Sequence, residues 1–284
     1  MHRKFLAFTV TGTPNPFTSK PAIMISTNKI SNNELKKITR EFLATAPGLY
    51  MPGVSIDAVI FGFHNDKLKV LLSSVGDPPY FGLPGGFVRK DEDLDDAALR
   101  ILQERTGFEN IYLEQFYTSG KKDRSNEKML KEIIEKLIGK SPESYWLRQR
   151  FVSVCYYALI DDTKVKPSTE ILFGEFKWFD INRVPKLIFD HNLIIKKALA
   201  TLRSDLDEKL VGSNLVGETF TMNELQKLYE AVYQEKLVRT NFQRKMLSLG
   251  VLKRLEKQYN GKSHKAPYLY SFSRTKRNGH STSL

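Results

Sequence analysis

The chain has 284 residues, 41% of them hydrophobic, and a formal net charge of +12 at pH 7. That is enough apolar material for a real core and for about two domains, and no apolar run reaches the ~18 residues a membrane span needs. A single cysteine, Cys155, excludes an internal disulfide and a cysteine metal cluster, which fits a reducing cytoplasm.

The start, "MHRKFLAFTVTGTPNPF", is basic and then briefly apolar without a small-residue cleavage site, and reads as no signal peptide. Residues 1–25 carry Pro, Thr and Ser and read as poorly ordered. "SNNELKKITREFLAT" (31–45) has an N-cap serine, Ser31, and apolar Leu35, Ile38, Phe42 and Leu43, which predicts a short helix. The breaker-rich "APGLYMPG" closes an N-terminal extension over residues 1–49.

An α/β (α+β) body is expected over 50–206. Apolar strands are predicted at 54–63 and 67–75, joined by the turn "HND", and further strands at 111–119, 150–160 and 176–180. Helices are predicted at 93–105 and 190–206, so helices would cover a mixed sheet. Cys155, in "FVSVCYYALI", reads as a buried inert thiol, and of Tyr156 and Tyr157 only one ring could reach a cleft. "SNEKMLKEIIEKLIGK" (125–140) carries a stripe of Met129, Leu130, Ile133, Ile134, Leu137 and Ile138, with Gly139 as its stop. It reads as an inserted amphipathic helix, packed on the body or serving as a dimer or lid element.

A last domain is expected at 211–275, followed by a basic tail at 276–284 with further cations at Arg274, Lys276 and Arg277. Thr221 three residues before Glu224 reads as a capping box, with Leu225, Leu228, Tyr229 and Val232 on the buried face. Thr240 before Gln243 repeats the pattern, with Phe242, Met246 and Leu249 inward and Gly250 as the stop. Two β-prone arms, 251–259 and 267–272, flank a loop with Gly and Lys. Helix, helix and basic hairpin is the order of a winged helix-turn-helix.

The stretch "LPGGFVRKDEDLDDAALRILQERTGF" (83–108) sets a spacing: Gly86, Glu92, Arg100, Glu104, Gly107 and Phe108. It resembles the Nudix box, in which three glutamates at i, i+3 and i+4 of one helix face hold Mg²⁺, a hard ion that wants anionic oxygens. The ion then bridges a diphosphate and polarises the bond that water breaks. Here those positions are Ile101, Glu104 and Arg105. A lone carboxylate cannot hold Mg²⁺ against hydration, so no metal, cofactor or catalytic residue is expected unless Glu92 or Glu114 compensates. Arg100 is expected to pair with Glu92 or Glu104.

The degenerate box, "KWFDINRVPKLIFDHNLIIKKAL" behind it and the basic winged helix together resemble the Nudix-related transcription regulators over about residues 50–275, and most nearly their sugar-responsive, arabinose-regulator type. The resemblance implies a Nudix α/β/α sandwich as effector sensor, a winged helix on operator DNA, and a homodimer. Family effectors include ADP-ribose in one branch and a pentose in another. A Nudix hydrolase acting on a nucleoside diphosphate derivative such as ADP-ribose is the alternative.

From Lys236 onward there are 12 Lys or Arg against one acid, Glu256, while the rest of the chain is nearly neutral. Such asymmetry predicts a polyanion partner, here double-stranded DNA. Arg239, Thr240, Asn241, Gln243, Arg244 and Lys245 would face base edges, and Lys253, Arg254, Lys257, Lys262 and Lys265 phosphates. Asp123, Arg124, Asp190 and His191 are the candidate effector contacts, because a sugar needs convergent polar groups.

Overall fold

The computed structural model describes residues 32–75, 80–107, 112–124, 127–138, 146–160, 175–208, 213–258 and 266–273. The expectations for residues 1–25, Ser31, Gly139, Lys262, Lys265 and the tail lie outside the described residues.

Helix α1 (Asn32–Leu49) runs past Pro47, beyond its expected end near 45. Its last turns are held by packing, since Leu43 and Ala46 are buried with Ile134 and Trp146. Strand β1 (Tyr50–His64) is the axis of the sheet. The two-residue turn Asn65–Asp66, both at positive φ, folds it back into β2 (Lys67–Val75), as hairpin twist demands. Two short strands not read from the sequence follow, β3 (Tyr80–Gly82) and β4 (Gly85–Arg89). Then come α2 (Leu94–Thr106), β5 (Tyr112–Ser119), α3 (Glu127–Ile138), β6 (Val152–Ile160), β7 (Phe176–Asp180) and α4 (His191–Glu208).

The strands form one seven-stranded mixed sheet in which β1 pairs parallel with β6 and antiparallel with β2 and β4. Residue alternation along β1 sorts its two faces. Ile56, Ala58 and Ile60 meet α2 through Ala97, Ala98, Ile101 and Leu102. Val59 and Phe61 point the other way, toward Ile194, Ala198 and Leu202 of α4. The result is an α/β/α sandwich. The tyrosine pair obeys the same rule with both rings buried: Tyr156 donates to Asp95 (2.6 Å) on the α2 face, and Tyr157 to Asp205 (2.7 Å) on the α4 face. Helix α3 packs on α1, with Ile133 and Ile134 buried.

After the short α5 (Ser213–Val216), β8 (Phe220–Thr221), α6 (Met222–Tyr233), α7 (Arg239–Ser248), β9 (Leu252–Lys257) and β10 (Tyr268–Phe272) make a winged helix with a three-stranded sheet. The capping box at Thr221 and Glu224 is complete in both directions. The second one is absent: α7 starts at Arg239 with Val238 as N-cap, so Thr240 lies inside the first turn. Phe242 and Met246 are buried, but Leu249 is 39% exposed, because α7 ends before it and Gly250 turns the chain away at positive φ.

Residues of both domains share one apolar core. Sheet residues Leu68, Val70 and Leu72 continue through α4 to Leu225, Leu228, Tyr229 and Val232 of α6. Among the described residues no helix is long and apolar enough to cross a membrane.

A Cβ on Gly85 would stand 2.6 Å from the Ile56 carbonyl oxygen, a backbone atom that cannot move aside cheaply. Gly85→Ala is expected to cost about 1–3 kcal/mol, read as a lower denaturant midpoint at unchanged slope.

Candidate effector site and nucleic-acid interface

The box helix α2 owes its shape to one guanidinium. Arg100 donates to both Glu92 oxygens (2.8 and 2.6 Å), to the Phe87 carbonyl (2.9 Å) and to Glu104 (3.1 and 3.2 Å). Glu92 also accepts the Arg89 backbone N–H at 2.8 Å, which closes the loop in front of the helix. Burial pushes the Glu92 carboxyl upward, but its Arg100 and Arg89 hydrogen bonds outweigh this and hold it below its ordinary value. Gly107 supplies the left-handed C-cap, φ +71°, and its N–H returns to the Gln103 carbonyl. Both readings of Arg100 are thus realised at once, with Glu92 and with Glu104.

The other two box positions turn inward. Ile101 is 1% exposed and packs under Gly86 with Ile56, Val88 and Tyr156. Arg105 occupies the third box position, yet its charge does not face the space a cation would take. Instead it is 5% exposed and donates Nε and an Nη to the Gly85 carbonyl, at 3.2 and 2.8 Å. Burial lowers its pKa to about 10, so it is still charged near neutrality. Glu114, the other candidate for compensation, sits on the opposite face of the sheet beside Tyr157. Among the described residues no three His, Cys, Asp or Glu gather as a metal donor set. With Glu92 and Glu104 both engaged by Arg100, the residues present do not fit a divalent cation.

A second polar cluster lies on the α4 face. Arg124 donates to Asp57 (2.9 Å) and to Asp190 (3.2 Å), and Asp190 also accepts from the Ser119 hydroxyl. The side chains of Arg124, Asp57 and Asp190 are 7%, 12% and 13% exposed. His191, first residue of α4, is buried beside them. Its Nδ1 accepts the Leu83 N–H at 2.9 Å, while Nε2 stands 3.6 Å from Asp57 and has no hydrogen-bond partner. Burial lowers its pKa and keeps the ring neutral. Three of the four expected effector contacts therefore meet, but they meet each other. Asp123 is exposed and outside the cluster. The sequence reading missed Asp57 and Ser119; a lone carboxylate inside the apolar run "VSIDAVIFGF" was the available signal for the first.

In the winged helix, Glu230 fixes the turn between α6 and α7. It accepts from the Leu237 N–H (3.1 Å), Gln226 (3.0 Å) and Lys236 (2.7 Å), and the Lys236 bond foremost holds its carboxyl below the ordinary value. Beyond the turn, Arg239, Thr240, Asn241, Arg244 and Lys245 are exposed and Gln243 is half-buried; α7 carries no acid. Lys253, Arg254 and Lys257 are exposed on β9, and the Arg254 guanidinium lies 3.3 Å above the Tyr268 ring. This ring holds a long flexible cation in one place. The domain is anchored to the sandwich from below: Arg203 of α4 donates to the carbonyls of Val232 (2.8 Å) and Tyr233 (3.3 Å), and Lys227 pairs with Asp66 of the β1–β2 turn.

Arg124→Met would leave two buried carboxylates facing each other without a counter-charge. A loss of about 3–5 kcal/mol is expected in denaturant unfolding.

Comparison with known proteins agrees with this geometry. The NUDIX domain family matches residues 51–202, and the NrtR DNA-binding winged helix domain matches residues 212–272. The chain is 29% identical over 209 residues to the ADPR responsive transcriptional repressor NtrR of Acinetobacter baylyi, covering 71% of this chain and 74% of that protein. It is 29% identical over 167 residues to an ADP-ribose pyrophosphatase of Methanocaldococcus jannaschii, covering 57% of this chain and 82% of that one. The crystal structure of Shewanella oneidensis NrtR complexed with a 27mer DNA superposes with a TM-score of 0.57 at 27% identity, covering 78% of this chain and 93% of that one. The expected kinship with sugar-responsive arabinose regulators is corrected, because the winged helix is of the NrtR type and the similar regulator answers to ADP-ribose. The chain belongs to the Nudix family and carries an NrtR-type DNA-binding winged helix.

Proposed function

We propose that this protein is a DNA-binding transcriptional repressor whose Nudix domain takes ADP-ribose as its effector and does not cleave it. One observation carries the reading: the box keeps its frame while its two remaining glutamates are bound to Arg100, so the scaffold retains its shape with no metal donor set among the described residues. The choice of ADP-ribose rather than a pentose is supported by the similarity to the A. baylyi repressor.

On this reading α7 lies in the major groove. Arg239, Thr240, Asn241, Gln243, Arg244 and Lys245 face base edges, where Arg suits guanine and Asn or Gln adenine. Lys253, Arg254 and Lys257 meet phosphates from the wing. Two copies reading a palindrome would double the contacts. With about six to ten phosphate contacts per dimer, affinity falls ~10³–10⁵-fold between about 50 and about 200 mM salt. The buried network of Asp57, Arg124, Asp190 and His191 positions α4 and through it the winged helix. ADP-ribose then acts by binding one arrangement of the two DNA-reading domains better than the other.

The similarity to an ADP-ribose pyrophosphatase keeps hydrolysis as the second reading, with the same ligand. Gel-shift binding to fragments selected from genomic DNA, with and without ADP-ribose, separates the two. ADP-ribose is expected to release the DNA and to be recovered intact after incubation with Mg²⁺ or Mn²⁺. Turnover at ordinary enzyme rates, about 1–10³ s⁻¹, would sink the repressor reading in favour of hydrolysis. Arg244→Ala is expected to weaken specific binding by about 1–3 kcal/mol while thermal stability and ADP-ribose affinity stay unchanged. A variant that fails to fold would identify Arg244 as a structural residue.

A further inference from the structure

We infer that Val238, the residue just before the recognition helix, reads the methyl group of a thymine in the major groove. The inference rests on the DNA-binding reading above and adds a specificity residue to it.

Val238 is 64% exposed, the highest exposure among the large apolar side chains that stand out from the described surface. It is also the N-cap of α7, at φ −70° and ψ 116°, and gives no side-chain hydrogen bond to the helix. Ser, Thr, Asp and Asn favour this place because their oxygens satisfy a free helix N–H; Val has no such oxygen. The position thus forgoes a cap and leaves two methyl groups in water. The second disadvantage vanishes if an apolar group covers the side chain in use.

Fraying does not explain the exposure. The turn that presents Val238 is tied down on its preceding side by Glu230, through the Leu237 N–H, and by Gln226, which donates to the Leu237 carbonyl at 2.9 Å. On its following side the Val238 carbonyl accepts the Phe242 N–H at 2.9 Å, and Phe242 is buried against Tyr229. The side chain is held out on a rigid base.

The surroundings choose the occupant. Arg239, Arg244 and Lys245 share the helix with no acid, so a polyanion is the matching partner. In a helix-turn-helix the N-terminal end of the second helix is the part nearest the base edges. The apolar feature that a polyanion offers there is the C5-methyl of thymine. A protein partner would have to cover the neighbouring cations as well.

The test uses the full-length chain. Duplexes bound by the wild type are selected from a random library, and each thymine of the recovered half-site is then replaced by uracil, which lacks only that methyl. Replacement at one position is expected to weaken wild-type binding about fourfold, the worth of one buried methyl group. Val238→Ser supplies the missing cap, so its melting temperature should equal or exceed that of the wild type. It should bind the thymine duplex about fourfold more weakly and show no further loss on uracil. A Val238→Ser protein that loses as much as the wild type on uracil replacement, or binds the thymine duplex as well as the wild type, overturns the inference and leaves DNA recognition standing. Recovery of no preferred sequence overturns both.

Discussion

A buried guanidinium shared between two carboxylates organises this molecule. Arg124 joins Asp57 at the centre of β1 to Asp190 at the start of α4, and the three come from segments 66 and 67 residues apart. Since α4 then runs under the sheet and grips α6 through Arg203, the ion network sets where the DNA-reading domain sits. Buried ion pairs are weak sources of net stability, because desolvation offsets most of the attraction. Their value is in direction: few other arrangements satisfy all three charges, so α4 has one orientation. A single apolar core continuing from sheet to α6 keeps the two domains together.

The box helix follows the same logic with a different outcome. In a metal site, glutamates on one helix face converge on an ion. Here Arg100 stands in for that positive charge and binds Glu92 and Glu104 itself, while Ile101 and Arg105 join the core. The Nudix turn survives because its geometry was never the metal's alone to hold. Gly107 caps the helix and the Phe87 carbonyl fixes the loop whether or not an ion is present.

The basic end shows how rigidity and charge divide the work. Glu230, nearly enclosed among Gln226, Lys236 and Leu237, holds the turn, and Tyr268 holds Arg254 flat on the wing. Both reduce the freedom that would otherwise be lost on binding. On the proposed reading, the exposed cations of α7 and β9 supply attraction, and the amide side chains on α7 supply discrimination.

The sequence by itself determined whatever depends on local spacing: the amphipathic helices, the hairpin around Asn65 and Asp66, the capping box at Thr221, the missing glutamates and the basic C-terminal surface. Each is a pattern within one or two turns or strands, where residue type and backbone period suffice. The tertiary structure decided the rest. The pattern at Thr240 matches the one at Thr221, yet it caps nothing, because the Glu230 turn and the burial of Phe242 and Met246 start α7 at Arg239. Asp190 and His191 read as ligand contacts, and only the arrival of Asp57 from β1 and Arg124 from the turn after β5 made them part of a buried network. Such contacts are set by which chain segments the sheet brings together, and sheet pairing depends on the whole core rather than on any stretch of residues.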